Sequence, residues 1–234
     1  MPCPYSSPPL LFSTNAQKKL MVKLVIFDCD GVMFDSREAN RAYYNHILAA
    51  FDCPAMNQEE LGYVHIHNVF DSVNHIFRNH RQVDMTAVNT YREQLDYSPF
   101  LRYMSIAPDL KEFLRAIAPK YHRAISTNRT NTMDIILDIF DLRDSFEIVM
   151  TAANSPRPKP APDALHIILK HFGLTADEAV FIGDSTVDRD HCASVGMKLI
   201  AFQNPQLEAT YYVNSFMEIL HLPDFAELRQ TRVQ

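Results

Sequence analysis

Five short apolar runs set the tightest limit on what this chain can fold into. They are Lys23–Phe27 (KLVIF), Arg123–Ser126 (RAIS), Glu147–Met150 (EIVM), Ala179–Ile182 (AVFI) and Lys198–Phe202 (KLIAF). Runs of this length, apolar and rich in β-branched residues, suit strands covered on both faces, as in a parallel sheet. Helix-like segments lie between the later runs. Asn131–Phe140 places Met133, Ile136, Leu137 and Phe140 on one side, and Pro162–Phe172 groups Leu165, Ile168 and Leu169 behind an N-terminal proline. Strands alternating with helices make βαβ units, so the expected fold class is α/β, a doubly wound parallel sheet.

One stretch departs from that pattern. From about Glu38 to Met104 there are no apolar strand-like runs, and His, Asn, Tyr and Gln are abundant. Ala39–Phe51 and Asn68–Phe77 have helical periodicity. Residues 38–104 are therefore expected to form a small α-helical domain inserted after the first strand, the alternative being extra helices packed on the sheet. The α/β core takes 21–37 and 105–234, resuming with a helix over Pro108–Ile117. Residues 1–20, rich in Pro and Ser and without a basic segment before Pro-Leu-Leu-Phe, read as a loose extension rather than a signal peptide. Met21, which opens the first core segment, is an alternative start to Met1.

The chain has 234 residues, 47% of them hydrophobic, which is enough for a full core. Its formal net charge of -6 gives no general attraction to nucleic acid or an anionic membrane, so neither is expected as a partner. An anionic substrate would need a local positive site, such as a metal ion. No apolar run is long enough to span a bilayer. Cys3, Cys29, Cys53 and Cys192 form no CxxC pair, and reduced thiols of a cytoplasmic protein are the expectation. Cys29 is expected to fill space against the sheet. His65, His67, His75 and His80 have no diagnostic zinc spacing and are expected to face solvent or substrate. Tyr43 and Tyr44 are expected to pack within the insert.

Four polar clusters at or near strand-like runs carry the candidate chemistry. Ligands of open α/β sheets bind beyond the carboxyl ends of the strands, so clusters distant in sequence would converge there. Asp28-Cys29-Asp30-Gly31 follows KLVIF and sets two carboxylates close together; by itself it could equally be a polar turn. Ser126-Thr127-Asn128-Arg129 offers a hydroxyl and backbone N–H groups for a phosphate oxygen, or else a helix cap. Lys159-Pro160-Ala161-Pro162-Asp163 presents a lysine between residues stiffened by proline, with Arg157 as a basic rival. Gly183-Asp184-Ser185-Thr186-Val187-Asp188 places two acids about one helical turn apart, as magnesium ligands or as helix N-terminal acids.

In order and content the four clusters resemble the haloacid dehalogenase superfamily, whose motifs are DxD, Ser/Thr, Lys and an acidic pair. The likeness covers most of Lys23–Phe202 and is least in the insert. Asp28 to Ser36 (DCDGVMFDS), Lys159-Pro160-Ala161-Pro162 and Gly183 to Asp188 look like motifs of its phosphoglycolate phosphatase-like branch. Thr127-Asn128 fits the second motif, with Ser126 as the register alternative.

The resemblance implies a Rossmann-like core and a phosphatase acting on a small phosphorylated metabolite, for which 2-phosphoglycolate is the candidate. Asp28 would be the nucleophile that becomes aspartyl-phosphate, and Asp30 the general acid and base. Mg²⁺ would bind Asp28, the Asp30 backbone carbonyl and Asp184, with Asp188 as a supporting carboxylate. Thr127, Asn128 and Lys159 would hold the phosphoryl oxygens. The second aspartate of the DxD pair favours phosphoryl chemistry over dehalogenation, because halide leaves without a proton. The insert would be the helical cap, since the 31 residues from 128 to 158, between Thr127 and Lys159, leave too little room for the large cap of other branches. A phosphosugar mutase of β-phosphoglucomutase type would keep the same motifs, as would a catalytically silent protein on this fold.

Overall fold

The structure is a computed structural model and describes residues 21–67 and 69–230. The proposed N-terminal extension, 1–20, and Cys3 within it lie outside the described residues. Strand β1 (Leu24–Phe27) alternates its side chains between two layers, and all four are fully buried. Val25 and Phe27 join one apolar cluster; Leu24 and Ile26 join the other, across the sheet. This burial on both faces is why the run is uniformly apolar.

After β1 the chain turns into β2 (Phe34–Asp35) and then helices α1 (Arg37–Ala50), α2 (Gln58–Ile66), α3 (Val69–Phe77) and α4 (Met85–Gln94). It returns through β3 (Ser105–Ile106), which pairs antiparallel with β2. These helices bury a cluster of their own, including Tyr43, Tyr44, Ile47, Leu48, Val73 and Phe77. Tyr43 packs its ring against Tyr44, Tyr97 and Phe100 at centroid distances of 5.1, 4.9 and 5.5 Å.

The remaining elements are α5 (Leu110–Ile117), β4 (His122–Ser126), α6 (Met133–Ile139), β5 (Ile148–Met150), α7 (Asp163–Phe172), β6 (Ala179–Gly183), α8 (Thr186–Ala193), β7 (Lys198–Phe202), β8 (Tyr211–Val213), α9 (Phe216–Ile219) and α10 (Ala226–Gln230). Among the described residues six strands make one parallel sheet in the order β5-β4-β1-β6-β7-β8. The five expected runs are all strands of this sheet. Glu147 directly precedes its strand, its N–H donating to the Arg123 carbonyl at 3.0 Å and its carboxylate accepting from the Arg123 N–H. The edge strand β8 was not among the expected runs.

Helices cover both faces. The layer holding Phe27 is filled by Phe113, Phe216 and Phe225, with Phe113 and Phe216 stacked 5.4 Å apart. The opposite layer takes Leu165, Ile168 and Leu169 from α7. Each buried Phe, Leu or Ile in these layers contributes on the order of 2 kcal/mol. The order places β1 between β4 and β6, so the three strands ending at Asp28, Thr127 and Asp184 are neighbours.

Candidate active site

The ladder carries each strand just past its last apolar residue. The Asp28 N–H donates to the Ile182 carbonyl at 2.9 Å, and the Thr127 N–H to the Met150 carbonyl at 3.0 Å. Beyond Asp28 the backbone folds back tightly. The Met33 N–H donates to the Cys29 carbonyl, and the Gly31 N–H to the Phe34 carbonyl, both at 2.9 Å. Gly31 sits at φ +75°, and a Cβ there would fall on the Asp184 carboxylate. Both its backbone conformation and that close approach require glycine. Cys29 is buried in the Phe27 layer, and its N–H donates to Asp28 Oδ1 at 2.7 Å.

Lys159 ties the centre together. Its ammonium lies 2.8 Å from Asp28 Oδ1 and 2.7 Å from Asp188 Oδ1. Asp188 is fully buried, and its other oxygen accepts from the Ser185 hydroxyl at 2.7 Å and from the Asp184 and Ser185 N–H groups at 3.2 Å. Ser185 in turn caps α8, its hydroxyl accepting from the Asp188 N–H. Both Asp188 oxygens thus accept from protein donors, Oδ2 from three of them, which suits a supporting carboxylate. Arg157, the rival to Lys159, is solvent-facing and pairs with Asp163 at 2.8 Å.

Asn128 has a structural role beside the one expected of it. Its side-chain oxygen accepts from the Lys159 N–H at 2.8 Å, and its amide nitrogen donates to the Lys159 carbonyl at 3.1 Å. These two bonds fix the backbone that carries the lysine, and the second N–H of the amide is left to donate elsewhere. Ser126 is buried and its hydroxyl contacts His191 Nε2 at 3.1 Å. That leaves Thr127 as the hydroxyl nearer the strand end, where it accepts from the Arg129 N–H at 3.2 Å.

The charges are crowded. Asp28, Asp184 and Asp188 each offer an oxygen within 4.8 Å of the others. Burial, then the charge of Asp188, push the Asp28 carboxyl well above the usual carboxylate range; Lys159 opposes them and Asp184 adds to them. Burial and Asp188 likewise raise Asp184 to about 7. Burial would raise Asp188 too, but the Lys159 charge and hydrogen bond outweigh it and hold the group low. Three acids against one ammonium leave an excess of negative charge in a partly enclosed place. A hard divalent cation on Asp28 and Asp184 would relieve it, so the donor set fits Mg²⁺. Among the described residues no other group of His, Cys, Asp and Glu meets the geometry of a metal site. His67 and His75 instead stack on Tyr63, each at 3.7 Å.

Two participants escaped the reading of the sequence. Arg129, quoted there without a role, donates from Nη2 to Asp30 Oδ1 at 2.6 Å. Burial raises Asp30, but the charge and hydrogen bond of Arg129 together hold it below the ordinary range. Asn204 donates to the Asp184 carbonyl at 2.7 Å. Neither residue belongs to a recognisable spacing, because each reaches its partner from another loop.

Residues 25–202 match the family described as haloacid dehalogenase-like hydrolase. A phosphoglycolate phosphatase of Pseudomonas savastanoi pv. phaseolicola is 25% identical over 188 residues, 76% of this chain and 68% of that protein. The pyrophosphatase PpaX of Bacillus velezensis is 25% identical over 71% of this chain and 76% of its own. The crystal structure of a HAD-superfamily hydrolase, subfamily IA, from Geobacter sulfurreducens superposes with a TM-score of 0.76 at 33% identity, covering 86% of this chain and 98% of that one. With the sheet order, the converging strand ends and these matches in agreement, the chain belongs to the haloacid dehalogenase-like hydrolases.

Proposed function

We propose that this protein is a magnesium-dependent phosphomonoester hydrolase that works through an aspartyl-phosphate on Asp28. The observation that carries the reading is the bridge from Asp28 through Lys159 to Asp188, set beside Asp184 where β1 and β6 end. A lysine held there has no need to search for its anion. It is already oriented toward the carboxylate that must approach a phosphate of like charge.

In the first step an Asp28 oxygen bonds to phosphorus as the ester P–O bond breaks, and Asp30, which must first take up a proton against the charge of Arg129, gives it to the departing alkoxide. In the second, water bonds to phosphorus, Asp30 takes the water's proton, and the Asp28–phosphorus bond breaks to free phosphate. Thr127 and Lys159 hold the non-bridging oxygens, and Asn128 and Asp188 hold Lys159. Mg²⁺ on Asp28, Asp184 and the Asp30 carbonyl would supply positive charge against the repulsion between carboxylate and phosphate.

The helical insert, residues 38–104, would serve as the cap that covers the leaving group. Arg129, the partner of Asp30, lies over the Tyr97 ring and 3.7 Å from Met104 Sδ, which supports an insert facing the site. A small phosphorylated metabolite is the substrate class, and 2-phosphoglycolate is the candidate favoured by the relatives. Among the described residues no helix is long and apolar enough to cross a membrane.

The test is a panel of phosphate monoesters with Mg²⁺, with and without chelator, scored by released phosphate. Release that stops on chelation and is lost in Asp28→Asn, with the variant still folded, supports hydrolysis. A sugar phosphate isomerised without release would replace it with the mutase reading. No turnover of any ester would return it to a silent member of the fold.

A further inference from the structure

Asn204 stands on the loop between β7 and β8, outside the four clusters of the site, yet its side chain grips the strand end that presents Asp184. Nδ2 donates to the Asp184 carbonyl at 2.7 Å, across 20 positions. Oδ1 accepts from the Gln206 N–H at 3.1 Å, which settles which end of the amide faces Asp184. The loop that carries it is anchored. Gln203 takes the left-handed conformation, at φ +52°, an uncommon one for a residue with a side chain. Its N–H donates to the Val213 carbonyl at 2.8 Å, and its side-chain amide to the Asn214 carbonyl at 3.0 Å. The chain thus leaves β7 in a turn fixed on β8, and that turn delivers Asn204 to Asp184.

Two peptide planes meet at the Asp184 Cα, and together they set the direction of its Cα–Cβ bond. The plane before it is held through the Asp184 N–H, which donates to Asp188 Oδ2 at 3.2 Å. The plane after it is held at both edges. The Ser185 N–H donates to Asp188 Oδ2, also at 3.2 Å, and the Asp184 carbonyl accepts from Asn204. The Asn204 bond is the shortest of the three. Gly31 confines the carboxylate further, since a Cβ there would overlap it. We infer that Asn204 is a positioning residue that aims the Asp184 carboxylate at the metal and makes the site selective for Mg²⁺ over Ca²⁺. Mg²⁺ demands short bonds in a near-ideal octahedron, whereas Ca²⁺ accepts longer bonds and irregular geometry, so a ligand held in one direction favours the smaller ion. The inference rests on the hydrolase reading, in which Asp184 is a ligand of Mg²⁺.

The experiment titrates Mg²⁺, and separately Ca²⁺, into the metal-free whole chain and reads the melting temperature of wild type, Asn204→Ala and Asn204→Ser. Serine can still accept from the Gln206 N–H but is too short to reach the Asp184 carbonyl, so it keeps the turn and removes the bond under test. In both variants the Mg²⁺ concentration that gives half the full rise in melting temperature should increase about tenfold, and that for Ca²⁺ less than about threefold. A merely structural role would lower every melting temperature alike and move neither half-point, which overturns the inference. Equal shifts for the two ions overturn it as well, and both outcomes leave the hydrolase reading intact. Should Asn204→Ala fail to fold, the serine variant decides by the same ratio. Wild type whose melting temperature ignores Mg²⁺ overturns the metal-dependent reading and this inference with it.

Discussion

The ammonium of Lys159 rests 2.7 Å from Asp188 Oδ1, and neither side chain exposes more than 3% of its surface. Removing one partner of such a pair strands the other in a poorly solvated place. Asp188→Ala also takes acceptors from Ser185 and from the Asp184 N–H. The expected loss of unfolding free energy is about 3 kcal/mol, read from urea midpoints at constant slope. A change within error would show that Lys159 is satisfied by Asp28 alone.

Asn128→Ala separates holding the lysine from holding the phosphate. The variant loses both bonds to the Lys159 backbone, worth about 1 kcal/mol each. Thermal melting should fall, and kcat should drop about tenfold as the ammonium loses its fixed origin. If stability is unchanged and only KM rises, Asn128 meets the substrate directly after all.

The bonds of Asn128 to the Lys159 backbone could not be read from the sequence. Its place after β4 and beside Thr127 was legible, because apolar runs announce strand ends and polar clusters follow them. Its partner lies 31 positions later, and in a loop, without a helix or strand period, spacing does not reveal which way a side chain points. The same holds for Arg129, which meets Asp30 across 99 positions. The sheet, by contrast, was largely visible, since burial on both faces demands uniformly apolar strands. Edge strand β8 has three residues, of which only Val213 is buried, so nothing in its composition had to betray it.

Asp184→Asn should act in opposite directions with and without magnesium. Three carboxylates lie within 4.8 Å, and the Asp184 group is pushed up to about 7 by burial and Asp188. Without metal, the neutral amide relieves repulsion, and the variant should melt at the same temperature as wild type or a few degrees higher. With added Mg²⁺, wild type should gain stability and the variant should not. Calorimetry in chelator and in Mg²⁺ reads both, and equal metal-dependent gains would remove Asp184 from the ligand set.

His191 should impose an acid limit on folding. Burial, with the Lys159 charge next, pushes its imidazole down to about 4 from an ordinary 6.5, while Asp188 and the backbone of Pro160 and Ala161 oppose this in part. Ser126 and the Phe181 ring, 5.8 Å away, complete its surroundings. The unfolded chain takes up the proton first, so the contribution of His191 is complete above pH 6.5 and declines as pH falls toward 4. Over that window the loss is on the order of 3 kcal/mol. His191→Asn should have a shallower dependence there than wild type; parallel curves would show that the imidazole titrates alike in both states.

The helices between β2 and β3 hang from a single ribbon in which Phe34 opposes Ile106 and Asp35 opposes Ser105. Outgoing and returning chains therefore cross one doorway, and no neighbour relation in the six-stranded sheet depends on what lies beyond it. Such an attachment would let the chain between the two strands change in length or sequence while the pairings that align Asp28, Thr127 and Asp184 stay as they are.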